Sequence, residues 1–456
     1  GVVDKDAKLA KLVLDKEFEN EISLLKIDPL VLEKHLSIVA VIGDRMKNHQ
    51  GISGNMFSTL GKNNVNIRAI AQGASERNIT AVIADKDVKK ALNCLHESFF
   101  EVETKQLNLF VMGVGNVGST LLSQIEKQAS YIQNTLKLKI NIVGLSNSKL
   151  MAFDDSGIDL SQWQETLANG EKTDLIEFFE KAKALNLRNS MFVDITANAA
   201  VAGTYEYYLK QSIAVIACNK IACSSNYEQY QNLKNLSRKY KAPFLFETNV
   251  GAGLPVIDTL NHLIASGDRI RSIHAVLSGS LNFIFNNFNE STTFYEVVKQ
   301  AQKEGYTEPD PRIDLSGKDV ARKLLILARE SGYKLGMSDI LNDGFLPEGA
   351  LESSSVDDFY TLIKSKDEEF KTLLNSANNN DAKLKYVASF IDGKANVSLQ
   401  EVQAGHPFYN LEGKDNIVMF YTDRYTDQPL IIKGAGAGSE VTASGLFADI
   451  IRASNI

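Results

Sequence analysis

The chain has 456 residues, 44% hydrophobic, 8% aromatic and 23% charged, enough to bury several cores, so two to four domains are expected. Thirty Gly against 8 Pro, with Leu, Val and Ile spread along the whole length, exclude collagen-like, proline-rich and wholly disordered chains. Forty-nine basic against 56 acidic residues give a formal charge of -7, with no basic surplus for phosphates or an anionic bilayer, so neither nucleic acid nor a membrane is an expected partner.

The longest apolar runs, SIVAVIG and LNLFVMGVG, are strand-sized, and GVVDKDAKLA lacks a signal peptide's apolar core. A soluble, cytoplasmic protein is expected. Cys94, Cys218 and Cys223 form no CxxC pair, and the six His show neither HExxH nor zinc-finger spacing, so disulfides and structural zinc are not expected. A first residue Gly followed directly by a charged helical pattern reads as a chain that begins inside a longer one.

Residues 5–25 read as helix, with Leu9, Leu12, Leu14, Phe18, Ile22 and Leu25 near helical spacing. After Asp28-Pro29 come LSIVAVIG (36–43), a helix over about 51–62, VNIRAIAQG (65–73), ITAVIAD (79–85) and a helix over about 87–99. The order β-α-β-β-α is ferredoxin-like, with VETK (102–105) available as the last strand. From Asn108 strands alternate with helices, the signature of a parallel sheet: LNLFVMGVG, a helix to about Lys127, KINIVGLSN (139–147), a helix near 171–184, MFVDIT (191–196), a helix to about Gln211, and SIAVIACNK (212–220). This unit ends near Phe246. Beyond it RIRSIHAVLSG, a helix at 316–331 and strands KLKYVASFI, KANVSLQEV and QPLIIKG make a mixed α+β region, in which 335–380 is polar connecting chain with one helix near 356–374.

Gly113-Val-Gly115-Asn-Val-Gly118 stands directly after an apolar strand and before a helix. Gly113 permits a tight turn, Gly115 lets backbone N–H groups approach a pyrophosphate, Gly118 allows close helix packing, and the helix start at Asn116 and Val117 favours an anion. A nucleotide site is favoured over a plain glycine turn. At the next strand end, where an NAD-selective fold often has an acidic residue, stand Ser146, Asn147, Ser148 and Lys149, so a 2′-phosphate is not repelled. NADP or NAD is the expected cofactor, NADP favoured.

Gly305-Tyr306-Thr307-Glu308-Pro309-Asp310-Pro311 is a rigid loop carrying carboxylates, followed by Asp314 and then by Asp319 and Lys323 one helical turn apart. An isolated D-x-x-x-K is usually an exposed, weak ion pair; after such a loop it reads as functional. Lys220 ends the strand SIAVIACNK, where ligands approach open parallel sheets. Cys218 and Cys223 flank it in an apolar context better suited to inert thiols than to nucleophiles. Two glycine-rich runs, 249–255 and 434–438, lack a Walker lysine; carbonyls of the first, beside Glu247, suit a hard cation, with ordinary turns as the even alternative.

GVGNVG, NVGAGLPV, LSGSLNFIFN, GYTEPDPRIDLSGKDVARKLLILARE and GAGAGSEVTASG are similar to the most recognisable segments of the bifunctional aspartokinase/homoserine dehydrogenase family and span about 107–456. Residues 36–100 resemble its second ACT regulatory unit and 1–30 the end of the first, with no kinase catalytic domain in the chain. The resemblance implies an α/β protein in three parts: a ferredoxin-like ACT region (1–106), a Rossmann-type nucleotide-binding domain (107–246, completed by about 436–456), and a mixed α+β catalytic and dimerisation domain (247–435). It implies reversible NAD(P)H-dependent reduction of aspartate semialdehyde to homoserine by a homodimer or homotetramer.

Carried over by motif, Lys323 matches the acid that protonates the new alkoxide, with Asp319 beside it and Lys220 near cofactor and substrate. Glu308 and Asp314 match residues gripping the amino-acid end; Gly279, Ser280 and Tyr306 line the same pocket. Glu247 with the carbonyls of Val250, Ala252 and Leu254 matches a monovalent cation site, usually sodium, and Thr196 and Gly438 border the cofactor. On the ACT unit the implied effector is threonine, its carboxylate near the helix start at Gly51 and Gln72 offering an amide. The chain departs from the family at Ile221, where a second lysine is common, and at Ile313, where an aspartate is. Two rival readings are an acylating aldehyde dehydrogenase using Cys218 or Cys223, and an amino-acid sensor with an inactive Rossmann unit.

Overall fold

In the computed structural model, which describes residues 1–43, 46, 49–72, 77–100 and 104–455, contacts divide the chain into two units: Gly1–Gln106 with Asn186–Asn189, and Leu107–Leu185 with Ser190–Ile456. In the first unit β1 (Leu36–Ile42), β2 (Ile67–Gln72) and β3 (Asn78–Ala84) form an antiparallel sheet of order β1-β3-β2. The period-2 pattern of ITAVIAD points Ile79, Ala81 and Ile83 inward. They meet Met56 and Leu60 of the helix Ile52–Lys62, and Ala91 and Leu95 of the helix Val88–Phe99, in one core. The expected β-α-β-β-α order is therefore present. Of the segment VETK, residues 102 and 103 lie outside the described residues, and Lys105 opens the next strand.

The second unit holds two sheets. The first has the order β10-β9-β8-β4-β5-β6-β7, built from β4 (Lys105–Met112), β5 (Leu138–Ser146), β6 (Leu150–Phe153), β7 (Glu171–Lys172), β8 (Ser190–Asp194), β9 (Ala214–Ala217) and β10 (Phe244–Leu245). β4, β8, β9 and β10 run parallel, whereas β6 and β7 add antiparallel strands that the sequence reading lacked. β5 and β8 flank β4 on opposite sides, so the connections diverge at the end of β4 and open a crevice there. The core of this sheet includes Leu109, Val111, Leu122, Ile125, Ile142, Val193 and Ile216, joined by Leu446 and Ile450 of the C-terminal helix Ser439–Ser454. Full burial of two such side chains contributes roughly 1.5–3 kcal/mol each, enough to fasten that helix to the sheet. The single helix expected before Gln211 is two short ones, Ala199–Ala202 and Tyr205–Leu209; between them the Thr204 hydroxyl donates back to the Val201 carbonyl.

The second sheet has the order β12-β14-β13-β11-β15-β16, from β11 (Ile270–Val276), β12 (Ile340–Asn342), β13 (Ala382–Ile391), β14 (Lys394–Gln403), β15 (Asp415–Thr422) and β16 (Leu430–Ala435). β15 was not foreseen. The one helix expected at 356–374 is two, Val356–Ser365 and Asp367–Asn379, with the Ser355 hydroxyl accepting from the Asp358 N–H at the start of the first. The helix Lys318–Glu330 packs on β13 and β14. Its entry is fixed by Gly317, in the left-handed region at φ 69°, where a Cβ would lie 2.2 Å from the Tyr386 hydroxyl.

Candidate active site

The end of β4 turns sharply at Gly113, which has φ 102° and no room for a Cβ: it would sit 2.9 Å from the Ile195 backbone. A Cβ on Gly118 would lie 2.1 Å from the Gly113 carbonyl oxygen, so the helix Asn116–Asn134 can seat this close to the strand only with glycine there. Gly115, by contrast, faces open space and caps that helix with no side chain, which leaves the first N–H groups, at Asn116 and Val117, free for an anion. A cleft of about 690 Å³ opens in front of them, lined among others by Gly113, Gly115, Lys149, Trp163 and Thr196. Ser146 does not line it. That residue is fully buried, its hydroxyl engaged with the Asn147 carbonyl and Thr173, and Asn147 to Lys149 form the wall instead. Gly438 is also absent from the lining; with φ 119° it starts the helix Ser439–Ser454.

Two distant segments, the end of β9 and the helix Lys318–Glu330, bring three charged side chains together. Lys323 Nζ lies 2.9 Å from Asp319 Oδ2, and Lys220 Nζ lies 3.4 Å from Asp319 Oδ1, so one carboxylate spans two ammonium groups. Lys323 is buried and gives a second N–H to the Leu277 carbonyl at 2.6 Å, which leaves its third N–H free to donate. Burial depresses the Lys323 ammonium below the ordinary lysine range; Asp319 opposes that and Lys220 adds to it. At Asp319 burial acts upward, but Lys323 and Lys220 overcome it and hold the carboxyl well below the usual range. Asn219, buried next to Lys220, donates to Asp194 Oδ2 at 3.0 Å; Asp194 also accepts from the Tyr205 hydroxyl at 2.6 Å and the Thr196 N–H at 2.7 Å. One buried carboxylate therefore ties together the loops that carry Thr196 and Lys220.

The proline-bracketed loop meets the start of the helix Gly279–Asn287. The Ser280 hydroxyl lies 2.6 Å from the Tyr306 carbonyl and 2.9 Å from Asp314 Oδ1, while Asp314 Oδ2 accepts from the Glu308 N–H at 2.8 Å. The Tyr306 ring stacks on Phe283 at 3.9 Å. A Cβ on Gly279 would lie 2.9 Å from the Lys414 carbonyl oxygen. Glu308 projects an exposed carboxylate without a partner among the described residues. Asp310, by contrast, is engaged by the Arg312 guanidinium at 2.6 Å.

Residues 255–451 match the homoserine dehydrogenase family, 113–247 the homoserine dehydrogenase NAD-binding domain, and 39–99 the ACT domain. A homoserine dehydrogenase of Schizosaccharomyces pombe is 34% identical over 356 residues, 76% of this chain and 95% of that protein. The chain belongs to the homoserine dehydrogenase family. It is 40% identical to bifunctional aspartokinase/homoserine dehydrogenases of Haemophilus influenzae and Zea mays over 98% and 100% of its length, and spans about half the length of these relatives (55% and 50%). Among solved structures it is similar to a Candida auris protein of unknown function (31% identity, TM-score 0.72, 77% of this chain and 99% of that one). An archaeal homoserine dehydrogenase in complex with NADPH shares the fold at TM-score 0.61, 24% identity, 77% of this chain and 98% of that one.

Glu247 is buried, and burial lifts its carboxyl to about 7. Its oxygens accept the N–H groups of Ile257 at 2.6 Å and Asp258 at 2.8 Å at the start of the helix Val256–Ala265. Of the neighbouring carbonyls, Leu254 accepts from Val256 N–H at 2.8 Å, whereas those of Val250 and Ala252 have no donor among the described residues. Such an oxygen-only set fits a hard cation. Burial pushes the thiols of Cys218 and Cys223 up, which suits inert groups rather than nucleophiles. In the other unit Gln72 is exposed at the end of β2, and Gly51, with φ 85°, precedes the helix Ile52–Lys62. No helix among the described residues is long and apolar enough to cross a membrane.

The Leu277 carbonyl and Asp194 escaped the sequence reading. A backbone acceptor has no residue signature, and Asp194 reads as an ordinary strand end.

Proposed function

We propose that the chain reduces aspartate 4-semialdehyde to homoserine, with NADPH favoured over NADH, and that Lys323 is the proton donor. The observation that carries this reading is the Asp319 carboxylate held between Lys323 at 2.9 Å and Lys220 at 3.4 Å. Glu308 and the Ser280–Asp314 pair orient the ammonium and carboxylate of the amino acid, leaving its aldehyde toward Lys323. Bound NADPH supplies the hydride. As the carbonyl oxygen gains negative charge, Lys323 Nζ gives it a proton, and the depressed ammonium makes that transfer easier than an ordinary lysine would. Asp319 keeps the lysine oriented, and Lys220 adds positive potential at the developing alkoxide.

Gly113, Gly115, Asn116, Val117, Gly118 and Thr196 hold the cofactor, and the wall of Asn147, Ser148 and Lys149, a cation with no carboxylate, favours a 2′-phosphate. Glu247 with the carbonyls of Val250 and Ala252 holds a monovalent cation, which braces the turn into the helix Val256–Ala265. The nucleotide domain is 107–246 closed by 436–456, and 247–435 is the catalytic and dimerisation domain of a cytoplasmic homo-oligomer. Threonine is the effector, bound on the ACT unit beside Gln72. NADPH oxidation dependent on aspartate semialdehyde tests the central reading; a folded chain that binds NADPH without oxidising it would instead favour an amino-acid sensor. Calorimetry with threonine on the parent and Gln72→Ala tests the effector.

A further inference from the structure

Lys385 of β13 places an ammonium where only 1% of the residue is exposed. Its three N–H donors are matched by three acceptors: Asn282 Oδ1 at 2.9 Å, Asn286 Oδ1 at 2.6 Å and the Leu411 carbonyl at 2.8 Å. All three are neutral. An ammonium buried without a carboxylate is costly, and an apolar side chain would fill the same space at less cost, so the charge is explained by what its donors hold together. Asn282 and Asn286 stand four apart, on one face of the helix Gly279–Asn287. Asn282 also turns its amide N–H to the Gly413 carbonyl at 3.0 Å, so strand, helix and the 411–413 segment share one polar node.

That node is coupled to the site at two places. The helix begins at Gly279 and Ser280, with Gly279 pressed against Lys414 and Ser280 bonded to Asp314. The segment runs on to Asn416, whose amide lies 3.3 Å from the Leu277 carbonyl, the group that also accepts from Lys323. We propose that Lys385 is a positioning residue for the substrate pocket, its ammonium fastening the helix Gly279–Asn287 and the 411–414 segment to β13. The role assigned to the pocket rests on the function proposed above.

Few charges reach this ammonium. Lys383 on its own strand disfavours it, Glu412 in the segment favours it, β14 places neutral Gln400 opposite, and the helix offers only Asn282 and Asn286. Burial and Lys383 bring the group down to about 8. Above that pH the amine keeps two donors for three acceptors, and one strut of the node is lost.

The test is the KM for aspartate semialdehyde from neutral to alkaline pH, with NADPH affinity measured alongside. In the parent KM rises several-fold as pH passes about 8, and NADPH affinity stays flat. Asn286→Asp gives the ammonium a carboxylate partner, gives up only the amide N–H that Asn286 donates to the Leu411 carbonyl at 3.0 Å, and moves that rise up by about one pH unit; titration of the substrate's own amine is common to both proteins and cancels. Lys385→Met raises KM about tenfold at all pH values, with kcat within a few-fold. A KM profile of Asn286→Asp superimposable on the parent's overturns the proposal, as does parent-like KM in folded Lys385→Met. If Lys385→Met does not fold, the Asn286→Asp profile decides. Retained turnover in Lys323→Ala would refute the assigned proton donor and leave the KM comparison intact.

Discussion

Lys323→Ala removes the proposed proton donor and leaves little else broken. Asp319 keeps Lys220 at 3.4 Å, and the Leu277 carbonyl keeps the Asn416 amide at 3.3 Å, so neither acceptor is orphaned. The fold loses the packing of one lysine stem, a cost of roughly 1–3 kcal/mol. A positioned general acid is typically worth about a hundredfold to ten-thousandfold, or ~3–5 kcal/mol at ~1.4 kcal/mol per tenfold. Turnover should therefore fall by about two to four orders of magnitude. NADPH affinity should be largely kept, since Lys323 does not line the nucleotide cleft. The assay is steady-state NADPH oxidation with aspartate semialdehyde, beside a fluorescence titration of NADPH and a thermal melt. A folded variant that binds NADPH and turns over within a few-fold of the parent would refute the reasoning and leave Lys220 or a bound water as the acid.

Three further outcomes follow from the same geometry. Asp319→Asn deletes the main group that raises Lys323 and leaves only Asp314 against burial and Lys220, so the alkaline limb of kcat should move to lower pH; an unmoved limb in pH–rate profiles would separate Lys323 from the chemistry. Gly115→Asp should fold and lose NADPH, because the position is open and normal in φ, whereas Gly113→Ala should lose stability first; melts and NADPH titrations of the pair check the contrast. Burial lifts Glu247 from 4.5 to about 7 and Asp449 from 3.8 to about 6, so the folded state binds the extra protons and their stabilising contribution, full at acid pH, is lost as pH rises through those values. A cation on Glu247 favours its carboxylate and counters a loss on the order of 3 kcal/mol. Melting temperatures in sodium and in choline should therefore diverge as pH rises toward 7; equal values throughout would count against the cation.

Steric demands were the most legible part of the sequence. Gly113 and Gly118 are required by contacts of 2.9 and 2.1 Å that no other residue survives, and such positions announce themselves between an apolar strand and a helix. The i,i+4 spacing of Asp319 and Lys323 was equally readable, and the carboxylate loop before them marked the pair as functional; what the sequence could not give is that Lys220, delivered by the end of another sheet, meets the same carboxylate. β15 was missed because Asn416 to Phe420 are buried in succession, so no alternation marks the strand. Lys385 carries no sequence mark of its enclosure. Lys383 and Lys385 alternate along β13 as residues of a solvent-facing side would, and Lys383 is indeed exposed; only the helix Gly279–Asn287 and the 411–413 segment close over the second lysine. The chain thus uses enclosure to make two lysines unlike ordinary ones. Lys323 is lowered beside a carboxylate that keeps it oriented, and Lys385 is lowered among neutral acceptors that leave it no counter-charge. That difference in partners is the physical ground for proposing proton transfer for the first and a positioning role for the second.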